Sequence, residues 1–66
     1  MSVARVTEIT AASPNSFEDA INKGLERANE TLDHIEGAWV KDMKVVADGG
    51  KVKEYRVNMK LTFVLN

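Results

Sequence analysis

Trp39 and Arg56 carry the side chains best suited to holding a small ligand. An indole can stack on a flat aromatic ring, and two indoles that face each other across a two-fold axis would enclose such a ring. A guanidinium can donate charge-assisted hydrogen bonds to a phosphate or a ring carbonyl. Each residue also has a plainer interpretation. Trp39 can pack in a subunit interface, where Trp is enriched, and Arg56 can pair with a carboxylate such as Asp42 or Glu54.

A metal site would need carboxylates from several chains. Calcium takes six to eight oxygen ligands, and no loop of the sequence resembles an EF-hand. At a three-fold axis, however, one carboxylate per chain becomes three. Asp42, Glu8, Glu54 and Asp48 are eligible, and Asp42 is the candidate that we retain. His34 has no second ligand at a metal-binding spacing, so we expect it at the surface or as a cation at a helix end.

The sequence offers little for catalysis. It contains no Cys and a single His, and no Ser or Thr lies beside an evident base. A nucleophile, a base and an orienting group therefore cannot be assembled from one chain. We expect a protein that is not an enzyme.

Composition narrows the choice of partners. The net charge is −1 without a basic cluster, which argues against nucleic-acid binding. No stretch approaches the roughly 18 apolar residues of a membrane span, and the N-terminus lacks a signal-peptide h-region, so we expect a cytoplasmic protein. Residues 1–66 are predicted to form one domain. A domain this small has a marginal core, and without Cys the remaining common source of stability is self-association.

One helix is predicted in the middle of the chain. Apolar or small residues recur there at steps of three and four, which is typical of an amphipathic helix. They are Phe17, Ala20, Ile21, Gly24, Leu25, Ala28, Leu32 and Ile35. Ser16 is the expected N-cap and Gly37 the expected C-terminal stop. The helix would hold some twenty residues and measure about 30 Å.

Three strands are predicted around this helix. From Tyr55 onward apolar residues occupy the odd positions, which indicates a strand of about eleven residues with one buried face. Residues 39–47 are rich in β-branched side chains and lead into Asp48-Gly49-Gly50, a hairpin turn. Residues 3–10 are predicted to form the first strand. The predicted class is α+β with the order β-α-β-β.

The second strand indicates that the sheet has two apolar faces. Simple alternation places Trp39, Met43 and Val45 on one face. The other face would carry Ala38, Val40 and Val46. Because a single helix covers only one face, a second copy of the chain is expected on the other.

The order and spacing of these elements resemble the dodecin family along nearly the whole chain. The likeness is carried by residues 5–9, by the helix entry at residues 13–20, by residues 40–44 and by Tyr55-Arg56-Val57 leading to Phe63. The resemblance implies a three-stranded antiparallel sheet that partly wraps the helix. It also implies twelve copies in a hollow shell with cubic symmetry. Many family members bind flavins (FMN, riboflavin or FAD) between subunits, with two rings stacked between tryptophans of symmetry mates, and are regarded as storage proteins.

The chain departs from the family's flavin pattern at two positions. The stacking Trp of the family corresponds to Gly37, whereas the Trp here is Trp39, about 6.6 Å further along the same strand face. A family Gln corresponds to Arg56, which offers only donors. Residues 37–42 look more like the dodecin-like proteins that lack the flavin features and are linked to calcium. The resemblance therefore implies a flavin held by Trp39 and Arg56, or a structural or calcium-binding shell with Asp42 as a candidate ligand.

Overall fold

The computed structural model describes residues 3–65, which form four elements in the predicted β-α-β-β order. Strand β1 is Val3–Ser13, helix α1 is Phe17–Asn29, strand β2 is Ile35–Asp48 and strand β3 is Lys51–Leu65. The three strands make one antiparallel sheet in the order β1-β3-β2. No helix among these residues is long and apolar enough to span a membrane.

Helix α1 starts where the sequence predicts. The Ser16 hydroxyl accepts a 2.9 Å hydrogen bond from the Asp19 backbone N–H, which satisfies one of the free donors of the first turn. Ser13, which is buried, donates a 2.5 Å hydrogen bond from its hydroxyl to the Asp19 carboxylate and accepts one of 3.0 Å from the Asn15 N–H. These bonds tie the end of β1 to the first turn of the helix.

The predicted C-terminal end of the helix is wrong. The helix stops at Asn29 after 13 residues, which makes it about 20 Å long rather than 30 Å. Its last turn tightens into short-range hydrogen bonds, such as that from the Thr31 N–H to the Ala28 carbonyl. The chain then reverses at His34, whose φ is 56°, whereas Gly37, the expected helix stop, lies inside β2.

Leu32 and Ile35 explain why the helical pattern runs too far along the sequence. Both are partly buried against the core, although Leu32 lies in the turn after the helix and Ile35 is the first residue of β2. Their spacing fits a helix, but their burial is achieved by chain reversal. Apolar periodicity alone cannot separate these two cases.

The alternation predicted for β3 is confirmed. Val57, Met59 and Leu61 are almost completely buried, and together with Ala20 and Ala28 they form the core. We call the sheet face that carries these three β3 residues the helix face and the opposite face the outer face. The predicted hairpin is also confirmed, because Gly49 and Gly50 have φ values of 59° and 77°, the left-handed conformation that glycine adopts at little cost.

A β-bulge in β2 corrects the predicted faces of that strand. The register with β3 shifts between Val40 and Asp42, which inserts one extra residue and reverses the alternation beyond it. Trp39 therefore does not share a face with Met43, which lies opposite Val57 on the helix face. Val45, opposite Tyr55, follows Met43.

Exposed apolar side chains consequently lie on both faces of the sheet. Helix α1 packs mainly on β1 and β3 and leaves most of β2 uncovered, although Ile35 and Val40 pack against the core. Met43 and Val45 are about half exposed on the helix face, and Trp39 and Val6 are more than half exposed on the outer face.

Candidate functional site

Trp39 lies on the outer face of the sheet, near the start of β2. It is opposite Lys60 on β3, and Lys60 points away from its buried neighbours Met59 and Leu61 because side chains alternate along a strand. The indole is 67% exposed. Gly37 is opposite Thr62, so Gly37 and Trp39 share the outer face, as the sequence predicts.

Lys60 is the residue of this site that the sequence analysis missed. Its ammonium Nζ lies 5.5 Å from the centroid of the Trp39 ring, within the range of a cation–π interaction. The two residues are far apart in the sequence and meet only through the register of β2 with β3. An aromatic ring has two faces, so an ammonium against one of them leaves the other available for stacking.

Arg56 also lies on the outer face, opposite Lys44 on β2 and Ala12 on β1. Its Nε and Nη2 donate hydrogen bonds of 3.3 and 3.2 Å to Oε2 of Glu54. Of the two carboxylates expected as partners, Glu54 is therefore the one it binds. Arg56 is four residues from Lys60 on β3, which corresponds to about 13 Å along the strand. One subunit thus places Trp39 and Arg56 on the same face but not side by side.

Glu8 and Lys41 form an ion pair on this face, with Nζ and Oε1 2.9 Å apart. The hydrogen bond from Lys41, with its charge, holds the pKa of Glu8 below its usual value. The same contact raises the pKa of Lys41. Both residues therefore remain charged over a wide pH range, and their opposite charges largely cancel each other near Trp39.

Asp42 lies beside this pair and opposite Asn58. A shallow polar depression brings it near Thr10, Glu8 and Lys41, and the Thr10 hydroxyl donates a 2.8 Å hydrogen bond to the Asn58 side-chain oxygen. Within residues 3–65, Asp42 has no ion-pair partner. The same part of the chain contains no group of three His, Cys, Asp or Glu residues that could hold a metal ion.

Comparison with known proteins identifies relatives of the whole chain. The family model Dodecin matches residues 3–66. A protein of Mycobacterium tuberculosis named calcium dodecin is 32% identical over 63 residues, which are 96% of this chain and 89% of that protein. A dodecin of Thermus thermophilus is 33% identical over 63 residues, covering 96% and 91%.

A solved structure shows the same fold. The dodecin from Streptomyces davaonensis superposes with a TM-score of 0.93 at 31% identity, and the match covers 98% of this chain and 96% of that one. The order of elements and the antiparallel sheet described above are therefore those of a known protein family.

Proposed function

Because the chain belongs to the dodecin family, we propose that it forms a non-enzymatic homododecameric shell that binds a flavin between its subunits. The shell would have cubic symmetry and work in the cytoplasm as a storage or protective protein. The exposed Trp39 on the outer face carries this proposal.

The dimensions of the chain support self-association. A compact monomer of 66 residues would have a radius of gyration of about 11 Å, whereas this chain has one of 13.5 Å. A monomer of 7.3 kDa would expose about 4,200 Å², compared with the 4858 Å² found here. Both differences arise because the long sheet is covered by a short helix. Copies of the chain that cover β2 would bury this surplus surface.

Trp39 supports the choice of a flat aromatic ligand. A Trp that is 67% exposed on a strand fixed by cross-strand pairing provides a rigid stacking surface. A two-fold axis would bring a second Trp39 opposite the first, and flavin rings would fill the gap between them. Arg56 of a symmetry-related subunit would donate to the flavin carbonyls, because Arg56 of the same subunit lies about 13 Å away along the strand.

The flavin proposal is tested by titrating FMN or riboflavin with purified protein while following flavin fluorescence. Stacking on Trp39 predicts quenching at micromolar concentrations. Because stacking on an aromatic side chain contributes about 1–3 kcal/mol, we expect Trp39→Ala to weaken binding roughly 10- to 100-fold. Val52→Ala is the matched control, since it truncates another exposed apolar residue at the distant hairpin, and it should leave binding unchanged. If the wild-type protein does not quench flavin fluorescence, the proposal is wrong.

A calcium-binding shell without flavin is the second candidate, and Asp42 is the residue that favours it. Glu8 and Glu54 are engaged by Lys41 and Arg56, whereas Asp42 lies in a polar depression without an ion-pair partner among residues 3–65. A similar protein carries the name calcium dodecin. At a three-fold axis, three copies of Asp42 would provide the carboxylates that one chain lacks.

The calcium alternative is tested by comparing the melting temperature in calcium with that in EDTA. A ligand that binds only the folded state must raise stability. Asp42→Asn should abolish this increase, and Glu26→Gln, a control at an exposed carboxylate of α1, should not. Equal melting temperatures of the wild-type protein in calcium and EDTA would exclude stabilisation by calcium.

A further inference from the structure

Lys60 places a positive charge against Trp39, with its ammonium 5.5 Å from the ring centroid. Glu8, a carboxylate close enough to Lys60 for its pKa to be lowered by the lysine charge, is already bonded to Lys41 at 2.9 Å. Within residues 3–65, Lys60 forms no ion pair. A cation therefore lies against the exposed indole, while the carboxylate of Asp42 lies on the same face further along β2.

We infer that Lys60 makes this site selective for an aromatic ligand that carries a phosphate or another anionic group. The inference rests on the proposed function, since it concerns the ligand that Trp39 would stack against. Lys60 would then determine the specificity of the site. Trp39 would bind the aromatic ring of the ligand, and Lys60 would bind the anionic group attached to that ring.

The geometry allows one ligand to engage both residues. The Lys60 ammonium lies 5.5 Å from the indole centroid, so the centre of a ring stacked about 3.5 Å beyond the open face of Trp39 would lie about 9 Å from the ammonium. A lysine ammonium is a point charge on a flexible stem, and a short chain attached to the ring can bring its phosphate within reach.

The energetics favour transfer of the ammonium from the indole to the phosphate. An exposed cation–π contact is weak, whereas a hydrogen bond between two charged groups is among the stronger polar interactions. Because a two-fold axis would double the site, two Lys60 ammonium groups would lie near the two stacked rings. An uncharged ligand with the same ring could offer the two ammonium groups only neutral acceptors, which form weaker hydrogen bonds.

FMN and riboflavin are the probes that isolate this effect, because they share one ring system and differ by a phosphate. We would titrate both into the wild-type protein, Lys60→Gln and Lys51→Gln, at low and at high salt. Lys51→Gln is the control, because it also removes a lysine charge from β3 but lies about 30 Å from Lys60 along the strand. Sedimentation would first establish that each variant keeps the wild-type assembly.

We expect the wild-type protein to bind FMN about tenfold more tightly than riboflavin at low salt, since a hydrogen bond to a charged group has about this effect. High salt should reduce the ratio. Lys60→Gln should bring the ratio close to one, and Lys51→Gln should keep it at the wild-type value.

The possible failures are distinguishable. If neither flavin binds to the wild-type protein, both the proposed function and this inference are overturned. If both flavins bind equally well, or if Lys60→Gln retains the preference for FMN, the flavin site stands and the role assigned to Lys60 is wrong.

Discussion

Replacement of Gly24 by Ala tests how closely the helix approaches the sheet. Gly24 is in the middle of α1, and a methyl group there would lie 2.8 Å from Cε of Met59, 3.0 Å from Cβ of Ala11 and 3.3 Å from Cδ1 of Ile9. Met59 is completely buried, so its end cannot swing into solvent. The Ala11 methyl is attached directly to the backbone of β1.

Two opposing effects set the size of the change. Ala is favoured over Gly in a helix interior by about 1 kcal/mol. Overpacking of a core costs about 1–3 kcal/mol. We therefore expect Gly24→Ala to lower the free energy of unfolding by about 1 kcal/mol, although helix propensity alone predicts an increase.

Urea unfolding at one fixed protein concentration is the suitable assay, because the stability of an oligomer depends on its concentration. Gly37→Ala is the matched control. No heavy atom lies within 4 Å of a methyl group at that position and its φ is not in the left-handed region, so this variant should gain about 0.5–1 kcal/mol from reduced backbone entropy. Gly24→Ala and Gly37→Ala should therefore change the free energy of unfolding in opposite directions.

A second substitution, Met59→Leu, tests whether the contact with Met59 causes the loss of stability in Gly24→Ala. Leu lacks the Cε atom that the new methyl would meet, and a Met-to-Leu replacement usually costs less than about 1.5 kcal/mol. On this background we expect Gly24→Ala to cost at least about 0.5 kcal/mol less than in the wild-type protein. If Gly24→Ala is instead as stable as the wild-type protein, or more stable, the close approach of helix and sheet is wrong.

Three further predictions concern polar and backbone features. The hydrogen bond from Ser13, with smaller contributions from other groups, holds the pKa of Asp19 below its usual value. The contribution of the ionised Asp19 carboxylate to stability should therefore be complete above about pH 4 and be lost as pH falls through the folded-state pKa. Acid titration of Asp19→Asn, followed by circular dichroism, should show a shallower loss. Glu8→Gln should reduce the melting temperature only slightly at low salt and not at all near 1 M salt, because the Glu8–Lys41 pair is exposed and screened; a loss that persists in salt would contradict this. His34→Gly should raise the free energy of unfolding by up to about 1 kcal/mol, because φ at this position is 56° and favours glycine. If urea unfolding instead shows a lower free energy of unfolding, the imidazole stabilises the fold by contacts of its own.

Much of the fold is predictable because its signals are local. Alternation on β3 identified Val57, Met59 and Leu61 as one buried face, and the glycines at 49 and 50 identified the hairpin. The end of the helix was not predictable from spacing. Leu32 and Ile35 are partly buried, as the helical pattern requires. They lie on either side of a chain reversal at His34, a residue type that only occasionally adopts a positive φ.

The site was less predictable because it depends on pairing between strands. The bulge between Val40 and Asp42 separates Trp39 from Met43, and no residue type in that segment marks it. Lys60 reaches Trp39 only because the register places the two opposite each other. Trp39 and Arg56 were recognised as candidates from residue type and family resemblance, but their separation along β3 becomes apparent only in the folded chain.

Sedimentation of the protein with added FMN would test for a twelve-subunit shell and for flavin between its subunits in one experiment. Absorbance would be followed in both the protein and the flavin bands. A flavin-loaded shell would give one boundary near twelve times the 7.3 kDa chain mass, carrying about one flavin per subunit, because two rings would lie between each pair of Trp39 side chains. A boundary at the mass of the monomer, or a twelve-subunit boundary without flavin absorbance, would contradict it.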